Sequence, residues 1–269
     1  GGYKSPRLTS YVTAAFLIIT SFLTALLSGI FGMAGGLVLM GALALVLPVS
    51  AAFVTHGLLQ LVANGWRAVL HRQHISWPIL WNYALASAVA AGVVLAIGFM
   101  PSKPVLFLLL GLVPMLVWLP KSWLQLDASK APHALVSGFL VTALNLSAGV
   151  AGPLLDIFFV RTDLNRHQIV ATKAATQVFS HLAKIIVYGA PLLAVGSSNG
   201  IPPWWVFALA IPASMLGTTA GGWVLDRLSD ANFKRWTLRE LDLRREAASA
   251  SELAEKMQGT EGYRVPGID

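Results

Sequence analysis

Runs of apolar residues, separated by short polar stretches, fill the chain from about residue 10 to residue 225. Nine segments stand out, at 10–28, 33–48, 51–70, 78–100, 104–120, 132–147, 149–160, 167–190 and 203–225. The runs are continuous rather than alternating, which predicts helices and argues against a β-barrel. A helix needs about 20 residues to cross a bilayer, and the segments at 33–48 and 149–160 fall short of that. Each begins at a glycine cluster, "GMAGG" (32–36) and "GVAGP" (149–153). They predict half-helices or re-entrant segments, which a bilayer tolerates only where they face protein or a water-filled cavity.

The two clusters are related. Sliding the chain against itself by 117 residues aligns Phe22 with Phe139, Gly32 with Gly149, Gly35 with Gly152, Thr55 with Thr172 and Gln60 with Gln177, without a gap. Five segments separate the start of one copy from the start of the next, and an odd number reverses the orientation in the membrane. The expected fold is therefore all-α: a polytopic helical membrane protein with two inverted repeats and short broken or re-entrant helices at the glycine clusters. Secondary transporters of this build bind their substrates near the midplane, at interrupted helices.

Composition agrees. Of 269 residues, 56% are hydrophobic and 12% charged, about half the charged fraction of a soluble domain. The net charge of +7 points to cytoplasmic loops rather than to nucleic acid, because Lys and Arg collect on that side. They concentrate at 67–74, 120–130, 160–167 and beyond Arg227, so these regions are expected inside, with Lys4, Arg7 and Lys103 as exceptions. Trp77, Trp81, Trp204 and Trp205 sit where interfacial aromatics belong. The division expected is an N-terminal tail (1–9), a first transmembrane repeat (10–130), a shortened second repeat (131–226) and a charged cytoplasmic tail (227–269). Within that tail, 230–257 could form a surface helix, and "TEGYRVPGID" reads as disordered. The absence of cysteine excludes disulfides and thiolate chemistry.

Each glycine break precedes a helix with a polar stripe. The first carries His56, Gln60, Asn64, Arg67 and His71; the second carries Lys173, Gln177, His181, Lys184 and Tyr188. The spacings are identical and place each set on one helical face. Polar groups in a bilayer are costly and face a pathway or each other. Lys184 has no acidic neighbour in sequence, so it is a natural seat for an anion. The breaks would free backbone N–H groups at half-helix N-termini, which also favour an anion. The candidate substrate-binding residues are Gly32, Gly35, Gly36, Thr55, His56, Gln60, Arg67, Gly149, Gly152, Thr172, Lys173, Gln177, His181 and Lys184. Asp156 is the one carboxylate inside an apolar segment before the tail, and could pair with a Lys or carry a coupling proton, a role for which His181 is the other candidate. Against this stand blander roles. Glycines let membrane helices pack closely, Arg67 and His71 could snorkel to a loop, and the threonines could bond their own helices.

No P-loop, H-E-x-x-H or G-x-S-x-G is present, so no enzyme, cofactor or metal centre is expected. The stretch from "LSGIFGMAGGLVLMGALALVLPVS" to "HRQHISW" resembles the first repeat of the sulfite exporter TauE/SafE family of membrane transporters. "VSGFLVTALNLSAGVAGPLLDIFFV" with "NRHQIVATKAATQVFSHLAKIIVYG" resembles the second. The resemblance implies a secondary transporter moving sulfite, a sulfonate or a related organosulfur anion by alternating access. It places the chain as a multi-pass protein of the bacterial inner (cytoplasmic) membrane. Two departures stand out: the first glycine cluster is less full than in the family, and a further C-terminal span is expected where the charged tail begins. The partners expected are a small anion and the lipid bilayer, not nucleic acid, with a homodimer left open. A passive anion channel, or a membrane anchor subunit acting through its tail, are the alternatives.

Overall fold

The computed structural model describes residues 6–31, 34–118, 126–194 and 200–227. Gly32 and the tail beyond residue 227, including the surface helix expected over 230–257, lie outside the described residues. Each of the nine predicted segments corresponds to a helix: α1 (Pro6–Phe31), α2 (Ala34–Val46), α3 (Val49–Leu70), α4 (Trp77–Ile97), α5 (Lys103–Leu112), α6 (Ala131–Ala148), α7 (Gly152–Phe159), α8 (Arg166–Ala194) and α9 (Trp204–Asp226). Short 3-10 turns follow α3 and α5, and no strand occurs among the described residues. By length and composition, α1, α4, α6 and α9 can each cross a membrane.

Helix ends follow from local chemistry. Pro48 and Pro203 stand immediately before α3 and α9, while α4, α5, α6 and α7 carry proline in their first turn, where its missing N–H costs nothing. Helix α6 stops at Gly149, whose φ of +79° is open to glycine and strained for other residues. The break in the second half is thus a left-handed glycine cap followed by a proline-started helix of eight residues.

Helices α3 and α8 occupy the centre and run antiparallel. Gly57 approaches Ile185, the Phe53 and Tyr188 rings meet at 4.2 Å with a 35° tilt, and Gly189 approaches Val54. Around them α1 lies along α9, and α4 lies along α6. These flanking pairs touch backbone to backbone at glycine: a Cβ on Gly29 would fall 2.8 Å from Gly221 Cα, and one on Gly138 would fall on the Tyr83 carbonyl. With no hydrophobic drive between helices in lipid, such close approach is what holds them.

The 117-residue offset recurs in the architecture. Helices α1 and α6 end 117 positions apart, at Phe31 and Ala148, and α3 and α8 begin 117 positions apart, at Val49 and Arg166. The offset carries α1 onto α6, and α4 and α9, whose starts are 127 positions apart, are the next long helices flanking the centre in each half, so the pairing α1–α9 has its counterpart in α6–α4.

Contacts also sort the loops by end. At one end, Ser76 N–H donates to Thr172, Ala128 N–H donates to the Phe158 carbonyl, and His167 meets His71, His74 and Asp226. At the other end, Lys103 Nζ reaches the Leu45 carbonyl and Gly200 lies against Pro48. Three of the four basic regions thereby share an end as far as they are described. The exposed Trp77 and Trp81 stack at that end, and Trp204 marks the opposite one.

Candidate functional site

The polar stripes of α3 and α8 face each other. Because α3 and α8 are antiparallel, His56 meets the far half of α8, and Lys184 Nζ lies 3.1 Å from His56 Nδ1. The other imidazole nitrogen, Nε2, is 2.9 Å from the carbonyl oxygen of Gly36, beside the first glycine break. Lys184 Nζ also donates to the carbonyl of Gly149, at the second break, over 2.5 Å. A continuous bridge therefore joins the two breaks: Gly36 carbonyl, His56, Lys184, Gly149 carbonyl.

The bridge has a defined polarity. A carbonyl only accepts, so His56 Nε2 carries the proton and donates to Gly36. His56 Nδ1 is then a lone pair, and Lys184 donates to it. Lys184 is fully buried, with the ring of Phe53 5.6 Å from its Nζ. Among the described residues no carboxylate lies within ion-pair distance of it. His181 stands next in the stripe, its ring 5.5 Å from that of His56 and its buried Nδ1 without a hydrogen-bond partner.

Two glutamines flank this centre. Gly36 faces Gln60, whose Oε1 a Cβ there would meet at 3.6 Å. Gln60 accepts from Asn64 at 3.2 Å, and Asn64 accepts from Arg67 at 3.0 Å. Arg67 is 1% exposed, so it belongs to the interior stripe and does not snorkel. On the α8 side, Gln177 accepts from Asn145 at 3.2 Å and donates to Tyr83 at 3.1 Å. Tyr83 continues through Ser180 and Thr142 to Ser87, over 2.8, 2.8 and 2.7 Å. This buried chain ties α4, α6 and α8 together and fixes the Gln177 amide.

Other candidate residues lie apart from the bridge. Lys173 is ion-paired with Asp156. Thr172 accepts from the Ser76 backbone and serves a loop junction. Thr55 is buried, with its hydroxyl unbonded. A Cβ on Gly35 would collide with the Thr24 carbonyl and Ser28, so Gly35 packs α2 onto α1. Gly152 is buried at the start of α7. Among the described residues, the backbone groups of the breaks that bond the His56–Lys184 pair are the Gly36 and Gly149 carbonyls. Tyr83, Asn145, Ser180 and Thr142 were not legible as site neighbours, although Asn145 and Thr142 are conspicuous polar residues in an apolar helix. Among the described residues no group of three or more His, Asp or Glu side chains is placed to hold a metal ion.

A sequence model of the family described as Sulfite exporter TauE/SafE matches residues 17–238. No curated protein and no solved structure matches the chain.

Proposed function

The chain belongs to the TauE/SafE sulfite exporter family, and from that premise we propose that it carries a small sulfur-containing anion across the membrane by alternating access. It is a helical membrane protein of a transporter family. The substrate class we assign is sulfite, a sulfonate or a related organosulfur anion, and the setting is the bacterial inner membrane.

One observation carries the assignment. Lys184 is a fully buried cation whose bonded partners are neutral, His56 and the Gly149 carbonyl. A lone cationic side chain inside a bilayer is costly and marks a substrate or ion pathway. An anion is the ligand that neutralises it. Both helix breaks abut the same pair, as expected of a site built from interrupted helices at the interface of two repeats. The coincident ends of α1 and α6 and starts of α3 and α8 under the 117-residue offset support inverted repeats that rock about that site.

The test is reconstitution in liposomes with labelled sulfite, using sulfate and methanesulfonate as competitors, in wild type and Lys184→Ala. Saturable sulfite flux, inhibited by the sulfonate and lost in the variant, is expected. Flux that survives Lys184→Ala would falsify the site, and no flux from folded wild type would remove the substrate class.

A further inference from the structure

We infer that His56 carries a proton together with the anion, so that the His56–Lys184 bridge opens when both bind and closes when both leave. The inference rests on the anion-transport reading above and adds the coupling ion and its carrier.

The polarity of the bridge leads there. In the described state Lys184 donates to the lone pair of His56 Nδ1, which requires a neutral imidazole. A proton added at Nδ1 would set two N–H donors against each other across 3.1 Å. That arrangement cannot persist in a buried site unless an acceptor enters between them. An oxyanion offers several lone pairs and can accept from both donors at once. Conversely, an anion that displaces the direct bond and finds His56 neutral meets the Nδ1 lone pair, which repels it. Proton and anion therefore favour each other at this position, and the linkage is reciprocal. The proton's charge offsets that of a monoanion, so the loaded pair carries the same net charge as the empty pair. This limits the cost of holding charge in the bilayer in either state.

The surroundings single out His56. Among the described residues, the groups that face it are Lys184 and His181 from α8 and the Gly36 carbonyl from α2, with no carboxylate among them. Asp156 is held by Lys173. His181 has a buried Nδ1 with no hydrogen-bond partner among the described residues. Among the described residues His56 alone bonds both Lys184 and a glycine break, so its protonation changes the link between the two halves of the chain. The step is a proton transfer from water to Nδ1 on one side and its release on the other, with no change of oxidation state.

The experiment measures proton and anion uptake together in liposomes, with methanesulfonate, which has no titratable proton near neutrality, and with sulfite. In wild type about one proton per anion is expected from the linkage. In His56→Gln the ratio should fall severalfold whatever flux remains, whereas a merely structural defect would lower both fluxes and leave the ratio intact. A ratio near zero in wild type, or one that persists in His56→Gln, overturns the inference. So does loss of the ratio in Asp156→Asn with retention in His56→Gln. Should the His56 variant not fold, mixing purified wild type with methanesulfonate in weakly buffered detergent decides: binding that takes up a proton supports the inference, and binding without uptake overturns it. Absence of any anion flux or binding in wild type strikes the transport reading itself, a result distinct from flux without protons.

Discussion

Lys184 Nζ and His56 Nδ1 are 3.1 Å apart although the residues are 128 positions apart in the chain. One residue belongs to the first half of the molecule and the other to the second. Each also bonds the glycine break of its own half, Gly36 for His56 and Gly149 for Lys184. The pair is thus the polar link where the two breaks meet, and any relative movement of the halves acts on it.

That link has a measurable energy. In a double-mutant cycle of His56→Asn and Lys184→Met, followed by thermal unfolding in detergent, the coupling should be roughly 1–3 kcal/mol. The Lys184→Met single variant should cost little, because removal of a buried ammonium offsets the two lost hydrogen bonds. Strictly additive variants would show that the two side chains do not bond in the membrane-embedded protein.

The glycines of the first break separate by role. Gly36→Ala adds a methyl group at ordinary contact distance from Gln60 and His56, so folded protein should form while anion flux drops. Gly35→Ala forces a Cβ into the Thr24 carbonyl and should reduce the yield of folded protein. At the second break, Gly149→Ala places alanine at a φ of +79°, a cost of about 1–2 kcal/mol. Expression level and melting temperature, read beside flux, distinguish the three. Equal behaviour of Gly35→Ala and Gly36→Ala would contradict the assignment.

The Lys173–Asp156 pair is expected to act on stability. Asp156→Asn leaves Lys173, 5% exposed, without its carboxylate. Because Asp156 itself is 31% exposed, the loss should be below that of a fully buried pair, about 1–3 kcal/mol. Adding Lys173→Met should restore most of it. A double variant no more stable than Asp156→Asn would rule out the pair as the cause.

Tyr83→Phe removes the acceptor of the Gln177 amide and the hydroxyl next to Ser180. Buried polar groups left unsatisfied cost about 1–3 kcal/mol. A lower melting temperature is expected, together with a raised apparent KM as the Gln177 amide loses its fixed orientation. A KM unchanged at reduced stability would confine Tyr83 to packing.

Acid should loosen the end of the bundle where His71, His74, His167 and Asp226 meet. Burial, then the neighbouring His167, hold the His71 imidazole below its ordinary value of 6.5, Asp226 pulls it up, and Arg67 and His74 add to the lowering. A lowered value means that the unfolded chain binds the proton more readily, so stability rises with pH through this window. The contribution is present at neutral pH and is lost as pH falls from about 6.5 toward the folded value. The melting temperature should therefore decline below pH 6.5 in wild type and decline less in His71→Asn. Parallel pH profiles would show that another group is responsible.

Much of this molecule is local, and local order is legible in sequence. Continuous apolar runs placed eight of the nine described helices within about four residues of their observed limits; the run at 104–120 instead divides into α5, ending at Leu112, and a 3-10 turn over Val113–Trp118. Periodicity put the polar residues of α3 and α8 on single faces, and those faces are buried as membrane energetics require. The 117-residue offset located the two breaks together. None of this says which side chains touch. A helical period defines a face, whereas the height at which two faces cross depends on how the flanking helices pack. Here the crossing is governed by backbone contacts such as Gly29 with Gly221 and Gly138 with Tyr83.

The same distinction accounts for the individual residues. Lys173 and Lys184 look alike in sequence, each a cation in an apolar helix. Folding gives the first a carboxylate from α7 and leaves the second with an imidazole and a carbonyl. Gly35 and Gly36 are adjacent and equivalent in composition, yet the helical turn between them points one at α1 and the other at Gln60. By itself the sequence determined a helical membrane protein with two related glycine breaks and two polar helix faces, because period, length and hydropathy are properties of neighbours along the chain. Tertiary structure alone decided which cation meets a carboxylate and which is left with neutral partners, because that depends on groups 17 to 128 positions away along the chain.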